Sequence, residues 1–283
     1  MNNIKKITIA LISILIIIPL MGIGYIYFKL NSMYDKEEAK QINATEESER
    51  NKEKGITNIL LVGVDGNNME KGNRSDAMMI LTIDTIHNDI KLTSLARDTY
   101  VDIPDHGKGK LNAAYFWGKE DLLFKTIEQN FKIGLDKFVQ VDFEDLMNIV
   151  FVIGGVDVEI EEREIQSLNE GIPGAYNSCT YAEKGEMQLI NEAGKHTLNG
   201  YQAIAYARMR YLDNGIYRDG RQRKIISGMF DGVKDLSMSE YPKLLNTLLP
   251  YVKTNLTVGE MLNLAFTCNI KRNQTSRISN NRR

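Results

Sequence analysis

The chain has 283 residues, of which 43% are hydrophobic and 25% charged, a composition typical of globular proteins. A chain of this length can bury a core in one large domain or in two small ones. Its formal net charge of -2 argues against a general binder of nucleic acids or other polyanions.

The N-terminal segment predicts a membrane anchor. Residues 7–28 contain no charged side chain and are dominated by Ile and Leu. As a helix they would span roughly 33 Å, close to the thickness of the hydrocarbon core of a bilayer. Lys5 and Lys6 precede the stretch, so the positive-inside rule predicts a cytoplasmic N-terminus at residues 1–6. We therefore expect a single-pass protein of the cell membrane with its main domain outside the cytoplasm.

A cleaved signal peptide is the alternative for this segment. Its apolar part would be shorter, about 7–15 residues, and would end at a cleavage site of small residues. Here the bulky Tyr25 follows Gly22-Ile23-Gly24, which favours an uncleaved anchor. Residues 29–55 are rich in Glu, Lys, Asn and Ser, and they predict a stalk between membrane and domain.

From residue 56 onward the pattern predicts an α/β domain. Short apolar runs bounded by turn residues predict strands at 56–64, 78–84, 90–95, 137–141 and 156–160. Helices are predicted at 122–131, 143–153, 198–207 and 220–233, and the polar residues 161–195 predict a long excursion or flap. Strands and helices alternate without a strict βαβ order, which indicates a mixed sheet. The domain is expected to span 56–267, followed by a polar, basic tail at 268–283.

Arginines cluster late in this domain. Residues 208–223 hold five arginines against two aspartates, although the whole chain is net acidic. Arg208 and Arg210 would point the same way if Met209 is extended, and Arg218 and Gln222 share a helix face. Guanidinium groups bind phosphate oxygens in pairs, so the cluster suits an anion site. A solvated basic surface is the alternative.

Two further groups of charged residues lie at the ends of predicted strands. Asp65 closes the first strand, and Asp76 precedes the second. Two such carboxylates could share a divalent cation such as Mg²⁺, or they could serve turns and helix caps. Arg97 and Asp98 follow the third strand, either as a phosphate ligand beside a base or as a surface ion pair. The two cysteines, Cys179 and Cys268, fit no zinc motif, and the sequence leaves open whether they pair.

Taken together, these motifs resemble the LytR–CpsA–Psr family, in the same order along the chain. The resemblance covers about residues 56–235 and includes the short cytoplasmic N-terminus and single anchor. It is carried by Gly63-Val64-Asp65, Arg74-Ser75-Asp76, Ser94-Leu95-Ala96-Arg97-Asp98, Lys110-Leu111-Asn112, Gly154-Gly155-Val156, Tyr206-Ala207-Arg208-Met209-Arg210 and Arg218 with Arg221-Gln222-Arg223.

The resemblance implies a fold and an activity. The implied fold is an α/β/α sandwich with a central mixed sheet and an apolar pocket for a polyprenyl chain. The implied activity is transfer of a phosphate-linked glycopolymer from a polyprenyl-pyrophosphate carrier to a peptidoglycan hydroxyl, with polyprenyl phosphate as the other product. Peptidoglycan and the lipid-linked glycan are then the partners, and no nucleic acid is expected.

The resemblance also implies roles for individual residues. Asp65 and Asp76 match the aspartates linked to Mg²⁺, a place that Mn²⁺ could also take. The catalytic set is expected to be Arg97, Asp98, Arg208 and Arg210, with Asp98 as the base or as a carboxylate that orients an arginine. The residues expected at the pyrophosphate are Arg74, Arg97, Lys110, Asn112, Arg208, Arg210, Arg218 and Gln222.

The chain departs from the family pattern in two places. Ala96 stands where the family commonly has proline before the Arg-Asp pair, and the C-terminus is shorter and more polar than usual. Two other activities stay open at this point. The same residues could release the glycan phosphate to water as a pyrophosphatase, or the protein could be a non-catalytic, membrane-anchored regulator.

Overall fold

The structure is a computed structural model that describes residues 24–36, 39, 53–64, 75–87, 89–209, 215–235, 246, 252–261 and 263–264. The chain divides into two compact units, Met1–Tyr34 with Thr257–Arg283, and Asp35–Leu256. In the first unit, residues 24–32 and 258–261 are helical. Within the described ranges, no helix is both long and apolar enough to cross a membrane. Most of the predicted anchor, residues 7–23, falls outside those ranges.

The second unit contains nine described strands and five described helices. The strands are β1 (Ile56–Val64), β2 (Ser75–Asp84), β3 (Asp89–Ser94), β4 (Tyr100–Ile103), β5 (Gly107–Lys110), β6 (Lys137–Asp142), β7 (Val156–Ile160), β8 (Gly194–Leu198) and β9 (Val252–Thr254). The helices are α1 (Leu111–Phe131), α2 (Phe143–Val152), α3 (Glu162–Ser178), α4 (Gly200–Arg208) and α5 (Gly215–Asp235).

A mixed sheet forms the centre of this unit, as the sequence predicts. Its described strands run in the order β3-β2-β1-β6-β9. Strand β1 pairs in parallel with β6 and antiparallel with β2, while β3 and β9 add antiparallel edges. Two antiparallel strand pairs, the hairpin β4–β5 and the pair β7–β8, lie outside the sheet. Since β1 and β6 are parallel, their carboxyl ends lie at the same end of the sheet, where β2 begins.

The apolar side chains form two separate cores. Alternate residues of a strand point to opposite faces, and Leu60, Val62 and Val64 of β1 pack in one core with α1. On the other face, a Cβ added to Gly63 would lie 3.6 Å from the Phe143 ring at the start of α2. Phe143 belongs to the second core, which α2, α3, α4 and α5 share with the strand pair β7–β8.

Most elements begin and end close to their predicted positions. Strand β1 has the predicted bounds, β2 and β3 form the predicted hairpin, and α2 ends just before Gly154 and Gly155 as expected. Helix α1 starts earlier than predicted, because it continues through a break at Gly118 and Lys119, whose backbone angles are not helical. The helical spacing that begins at Leu122 therefore predicts only the second half of α1.

The prediction of a long excursion or flap at residues 161–195 is wrong for its first half, while residues 179–193 contain neither helix nor strand. Residues Glu162–Ser178 form α3, and β8 begins at Gly194. The helix escaped detection because it contains Pro173 and two of its buried residues are the polar Glu164 and Ser167. Its start does carry a local signal, since the Glu161 and Glu164 side chains cap each other's backbone N–H groups in a capping box.

Candidate functional site

A cleft lies at the end of the sheet where β1 and β6 finish and β2 begins. In β1, Val64 has Ser75 of β2 and Asp142 of β6 as its register partners. The residues that follow those partners, Asp76 and Phe143, therefore meet at this end of the sheet. The cleft is lined by Asp76, Arg97, Phe143, Arg208, Arg218 and Gln222.

The lining residues come from separate elements, so only the folded chain assembles them. Asp76 is the second residue of β2, and Arg97 lies in the loop between β3 and β4. Arg208 ends α4, and α5 contributes both Arg218 and Gln222. The structure thus brings together five of the residues that sequence analysis singled out.

Arg97 is held between two carboxylates. Its Nη1 donates to Asp76 Oδ1, and its Nε donates to Asp98 Oδ2 at 3.4 Å. The side chains of Arg97 and Asp76 are 21% and 18% exposed, so water screens their ion pair less than it would on an open surface. The guanidinium plane is therefore fixed at the cleft before any ligand arrives.

Lys110 fixes Asp98 from the other side. Lys110 Nζ donates to Asp98 Oδ1 at 2.6 Å, and this hydrogen bond is the main cause that lowers the pKa of Asp98. A carboxylate stabilised in this way is a weak base. Asn112 is buried, and its backbone N–H donates to the Arg97 carbonyl at 3.1 Å. Lys110 and Asn112 thus support the Arg97 loop rather than line the cleft.

The other two arginines have different surroundings. The Arg208 guanidinium lies 5.3 Å from the centre of the Phe143 ring, a cation–π contact. Arg218 is only 13% exposed and pairs with Asp219 through Nη2 at 3.5 Å. Its buried Nε has no hydrogen-bond partner among the described residues. Because such donors are costly to leave unpaired, this one suits an anionic ligand oxygen.

Three predicted site residues, Asp65, Arg74 and Arg210, lie outside the described residues, as does Cys268. Within the described ranges, no three His, Cys, Asp or Glu side chains are close enough to hold a metal ion. Cys179 is buried, and burial raises the pKa of its thiol.

Sequence analysis did not predict three contributors to the site. Phe143 was identified only as a helix start, although it lines the cleft. Asp219 has a raised pKa because of burial, which the charges of Arg218, Arg223 and Arg97 partly oppose. Ser94 Oγ accepts a 2.8 Å hydrogen bond from Arg223 Nη1, which ties α5 to the end of β3. The one available signal was the position of Asp219 next to Arg218.

Arg221, in contrast, is a structural residue. It is 3% exposed, donates to the Met209 carbonyl at 3.1 Å and pairs with Glu164 at 3.5 Å. These contacts tie α5 to α3 and to the end of α4, and thus hold Arg208 beside Arg218.

Comparisons with known proteins show the family of the chain. The family model named LytR_cpsA_psr matches residues 24–282. A polyisoprenyl-teichoic acid–peptidoglycan teichoic acid transferase, TagU of Enterococcus faecalis, is 33% identical over 277 residues, which is 94% of this chain and 84% of the relative.

Solved structures give the same relationship. TagT bound to LIIa-WTA superposes with a TM-score of 0.63 at 30% identity, covering 77% of this chain and 78% of its own. TagT with bound octaprenyl pyrophosphate lipid gives 0.53 at 30% identity, covering 71% and 77%. With a family model that matches nearly its whole length and relatives at this level of identity, the chain belongs to the LytR–CpsA–Psr family.

Proposed function

We propose that the protein transfers a phosphate-linked glycopolymer of the teichoic acid class from a polyprenyl-pyrophosphate carrier to a peptidoglycan hydroxyl. One observation carries the proposal: three arginines and Gln222 converge on one cleft, with an unpaired Arg218 Nε. The relatives support it, because one is named as a teichoic acid transferase and another holds octaprenyl pyrophosphate.

In this reaction the cleft binds the pyrophosphate of the donor. Arg97, Arg208 and Arg218 supply guanidinium donors, and Gln222 supplies an amide donor. The acceptor hydroxyl attacks the sugar-proximal phosphorus, the new O–P bond forms, and the bond to the bridging oxygen breaks. Polyprenyl phosphate leaves with the negative charge that the arginines stabilise. Preorganised charges of this kind supply most of the catalysis in phosphoryl transfer.

Asp98 acts as the residue that orients Arg97 rather than as the proton acceptor. Its hydrogen bonds to Lys110 and Arg97 keep it ionised and lower its pKa. The proton of the acceptor hydroxyl leaves to water or to the departing phosphate, so Asp98 does not have to accept it.

Mg²⁺, or Mn²⁺ in its place, is the metal that the site would bind through Asp65 and Asp76. Asp76 fits this role, since it presents a carboxylate at the cleft beside the arginines. Asp65 directly follows Val64, whose register partner Ser75 directly precedes Asp76. A bound divalent cation would neutralise charge on the pyrophosphate oxygens. Arg74 and Arg210 remain predicted pyrophosphate ligands.

The topology of the protein belongs to the same proposal. A single helix at residues 7–28 anchors the protein in the cell membrane, with residues 1–6 in the cytoplasm and the catalytic domain outside. The domain is an α/β/α sandwich, and the two cores on opposite faces of the sheet support this layering. The anchor brings the cleft to a donor that is itself embedded in the membrane.

The direct test supplies both substrates to the full-length protein in detergent. A synthetic polyprenyl-pyrophosphate glycan, Mg²⁺ and peptidoglycan fragments are incubated together, and mass spectrometry detects the product. We expect a phosphodiester-linked glycan on peptidoglycan, and we expect Arg97→Ala or Asp76→Ala to lower its rate on the order of tenfold to a thousandfold. The exposed Lys91, whose ion pair among the described residues is with the exposed Asp89, provides the control variant Lys91→Ala.

The same assay separates the other activities. Glycan phosphate released only into solution would identify a pyrophosphatase. An unchanged donor that binds without turnover would identify a regulator. Full activity in both Arg97→Ala and Asp76→Ala would refute the assignment of the site.

A further inference from the structure

A second groove runs between α3 and α4, on the surface of the same compact unit. Its cavity volume is about 410 Å³. Among the residues that line it are Ser167, Glu170, Gly174, Ser178, Ala205 and Arg208. This volume is in the range of sites that bind ligands of the size of a small oligosaccharide. The sequence predicts a flap where α3 lies, and among these lining residues it gives a role to Arg208 only.

The groove and the catalytic cleft share one lining residue. Arg208, the last residue of α4, lines both. Arg221 keeps this end of α4 in place through its hydrogen bond to the Met209 carbonyl. A ligand in the groove would therefore reach the cleft beside Arg208. Transfer requires a second substrate next to the donor, and this groove offers it a path.

The lining of the groove mixes small apolar residues with polar ones, and this mixture suits a sugar, which has both hydroxyl groups and apolar ring faces. The hydroxyl of Ser178 and the carboxylate of Glu170 offer hydrogen bonds, while Gly174 and Ala205 leave room for a ligand to lie close to the helices. Ser167 is 8% exposed, and its Oγ has no hydrogen-bond partner among the described residues. A buried hydroxyl without a partner is costly, and a ligand hydroxyl or a bridging water can supply the missing bond. Covering the exposed Glu170 with a lipid tail would strip its carboxylate of water.

The two glycans of the reaction differ in charge. A teichoic acid donor carries phosphates along its chain, and away from the Arg208 end the charged residue of the lining is Glu170, whose carboxylate would repel them. A peptidoglycan sugar strand presents hydroxyl and amide groups, which the groove can bind. We infer that the groove between α3 and α4 binds the sugar strand of the peptidoglycan acceptor and guides its hydroxyl to the cleft at Arg208. The inference rests on the proposed function, since it names the second substrate of that reaction.

The test fills the groove without touching the cleft. A Cβ added to Gly174 meets no atom within 4 Å, so the variant Gly174→Phe can place a ring in the groove while the helix stays intact. The exposed helical Gly259 is equally open, and Gly259→Phe is the matched control in the other compact unit. The melting temperature of each variant checks its fold. Binding of a peptidoglycan tetrasaccharide and of an octaprenyl-pyrophosphate disaccharide is measured separately on the full chain in detergent, without turnover.

We expect Gly174→Phe to weaken tetrasaccharide binding roughly tenfold or more, while its affinity for the octaprenyl-pyrophosphate disaccharide and all affinities of Gly259→Phe stay unchanged. Gly174→Ala, which adds only a methyl group, should show a smaller loss. Unchanged tetrasaccharide binding in Gly174→Phe would overturn the inference. So would a loss of donor binding in a folded Gly174→Phe, because the groove would then hold the donor. Since turnover is not measured, a chain that fails the transfer assay still gives a decisive result here.

Discussion

At the scale of single residues, Asp219 influences the cleft without lining it. This acidic residue lies among the arginines of α5. It pairs with Arg218 at 3.5 Å, and its carboxylate is close enough for Arg223 and Arg97 to influence its pKa. Burial nevertheless raises that pKa, so the carboxylate is poorly solvated and depends on Arg218 for its stability. Its main effect is therefore to hold the Arg218 guanidinium in one orientation.

Replacing this carboxylate should separate binding from catalysis. In Asp219→Asn the cleft becomes more positive, so the KM for the donor should stay the same or fall. Because Arg218 loses its partner, kcat should fall on the order of tenfold, a middle value for residues coupled in one ion-pair network. Steady-state kinetics with varied donor measures both. Asp231→Asn, at an exposed position of the same helix, is the control. A higher KM with unchanged kcat would contradict the positioning role.

The residues of the site differ in how far the sequence could predict them. Arg97, Arg208 and Arg218 were predictable because their motifs recur in a known family. Phe143 and Asp219 were not, because their roles arise from what packs around them. No local pattern shows that the Phe143 ring meets Arg208, or that Asp219 is partly desolvated.

At the scale of elements, α2 begins with an unusual density of negative charge. Asp142 caps the helix by accepting the backbone N–H of Glu144, and Asp145 follows in the first turn. Acidic residues are favourable at this end of a helix. Burial, with the repulsion of Asp142 and Glu144, nevertheless raises the pKa of Asp145 to about 7. The helix dipole does not offset the desolvation of this carboxylate.

This raised pKa predicts how stability changes with pH. Between the unfolded pKa of about 4 and the folded value of about 7, the native state binds more protons, so stability falls as pH rises through that window. Asp145→Asn removes the cost. Its melting temperature should match the wild type at pH 4 and exceed it by roughly 2–4 °C at pH 8. Glu162→Gln, in the first turn of α3, is the control and should show no such gain. An equal gain at both pH values would contradict the burial of a charge.

Helix α5 depends on a glycine where it crosses β7. A Cβ added at Gly228 would lie 2.3 Å from Val156 Cγ1, so the helix would have to move. Gly228→Ala should lower the free energy of unfolding by about 1–3 kcal/mol, the usual cost of overpacking. It should also slow transfer, since α5 carries Arg218 and Gln222. Urea unfolding and the transfer assay measure the two effects, and Gly259→Ala, which meets no atom within 4 Å, is the control. Unchanged stability would show that α5 shifts without cost.

The elements that sequence analysis predicted and those that it missed differ in pattern. Strand β1 and helix α2 are apolar runs with clear ends, and their bounds were predicted closely. Helix α3 has buried polar residues and an internal proline, so its periodicity is weak. The hairpin β4–β5 is short: Val101 and Ile103 of β4 are buried, but every residue of β5 is at least partly exposed, so the hydrophobic signal is weak. Tertiary packing specifies these elements more than their local sequence does.

At the scale of the whole molecule, the charge is distributed unevenly. The net charge is only -2, yet the lining of the cleft holds three arginines and a single acid. A locally positive cleft attracts an anionic donor without making the protein a general polyanion binder. A donor that is confined to a membrane is available only at that surface, so the reaction rate depends on how often the cleft encounters it. The predicted anchor at residues 7–28 would raise that encounter rate.

Removing residues 1–28 should therefore lower activity on a donor in vesicles and leave activity on a water-soluble donor unchanged. Full-length protein should stay with membranes after an alkaline wash, whereas the truncated chain should appear in the supernatant. With a long-chain donor in vesicles, the truncated chain should be slower by about 100-fold, the scale at which tethering raises effective concentration. With a short-chain, water-soluble donor the two should have equal rates, because the cleft is unchanged. Replacing residues 7–28 by an unrelated stretch of Leu and Ala should restore the vesicle rate. If the truncated chain stayed with membranes, or worked equally well on vesicles, the anchor would not be what brings the cleft to its donor.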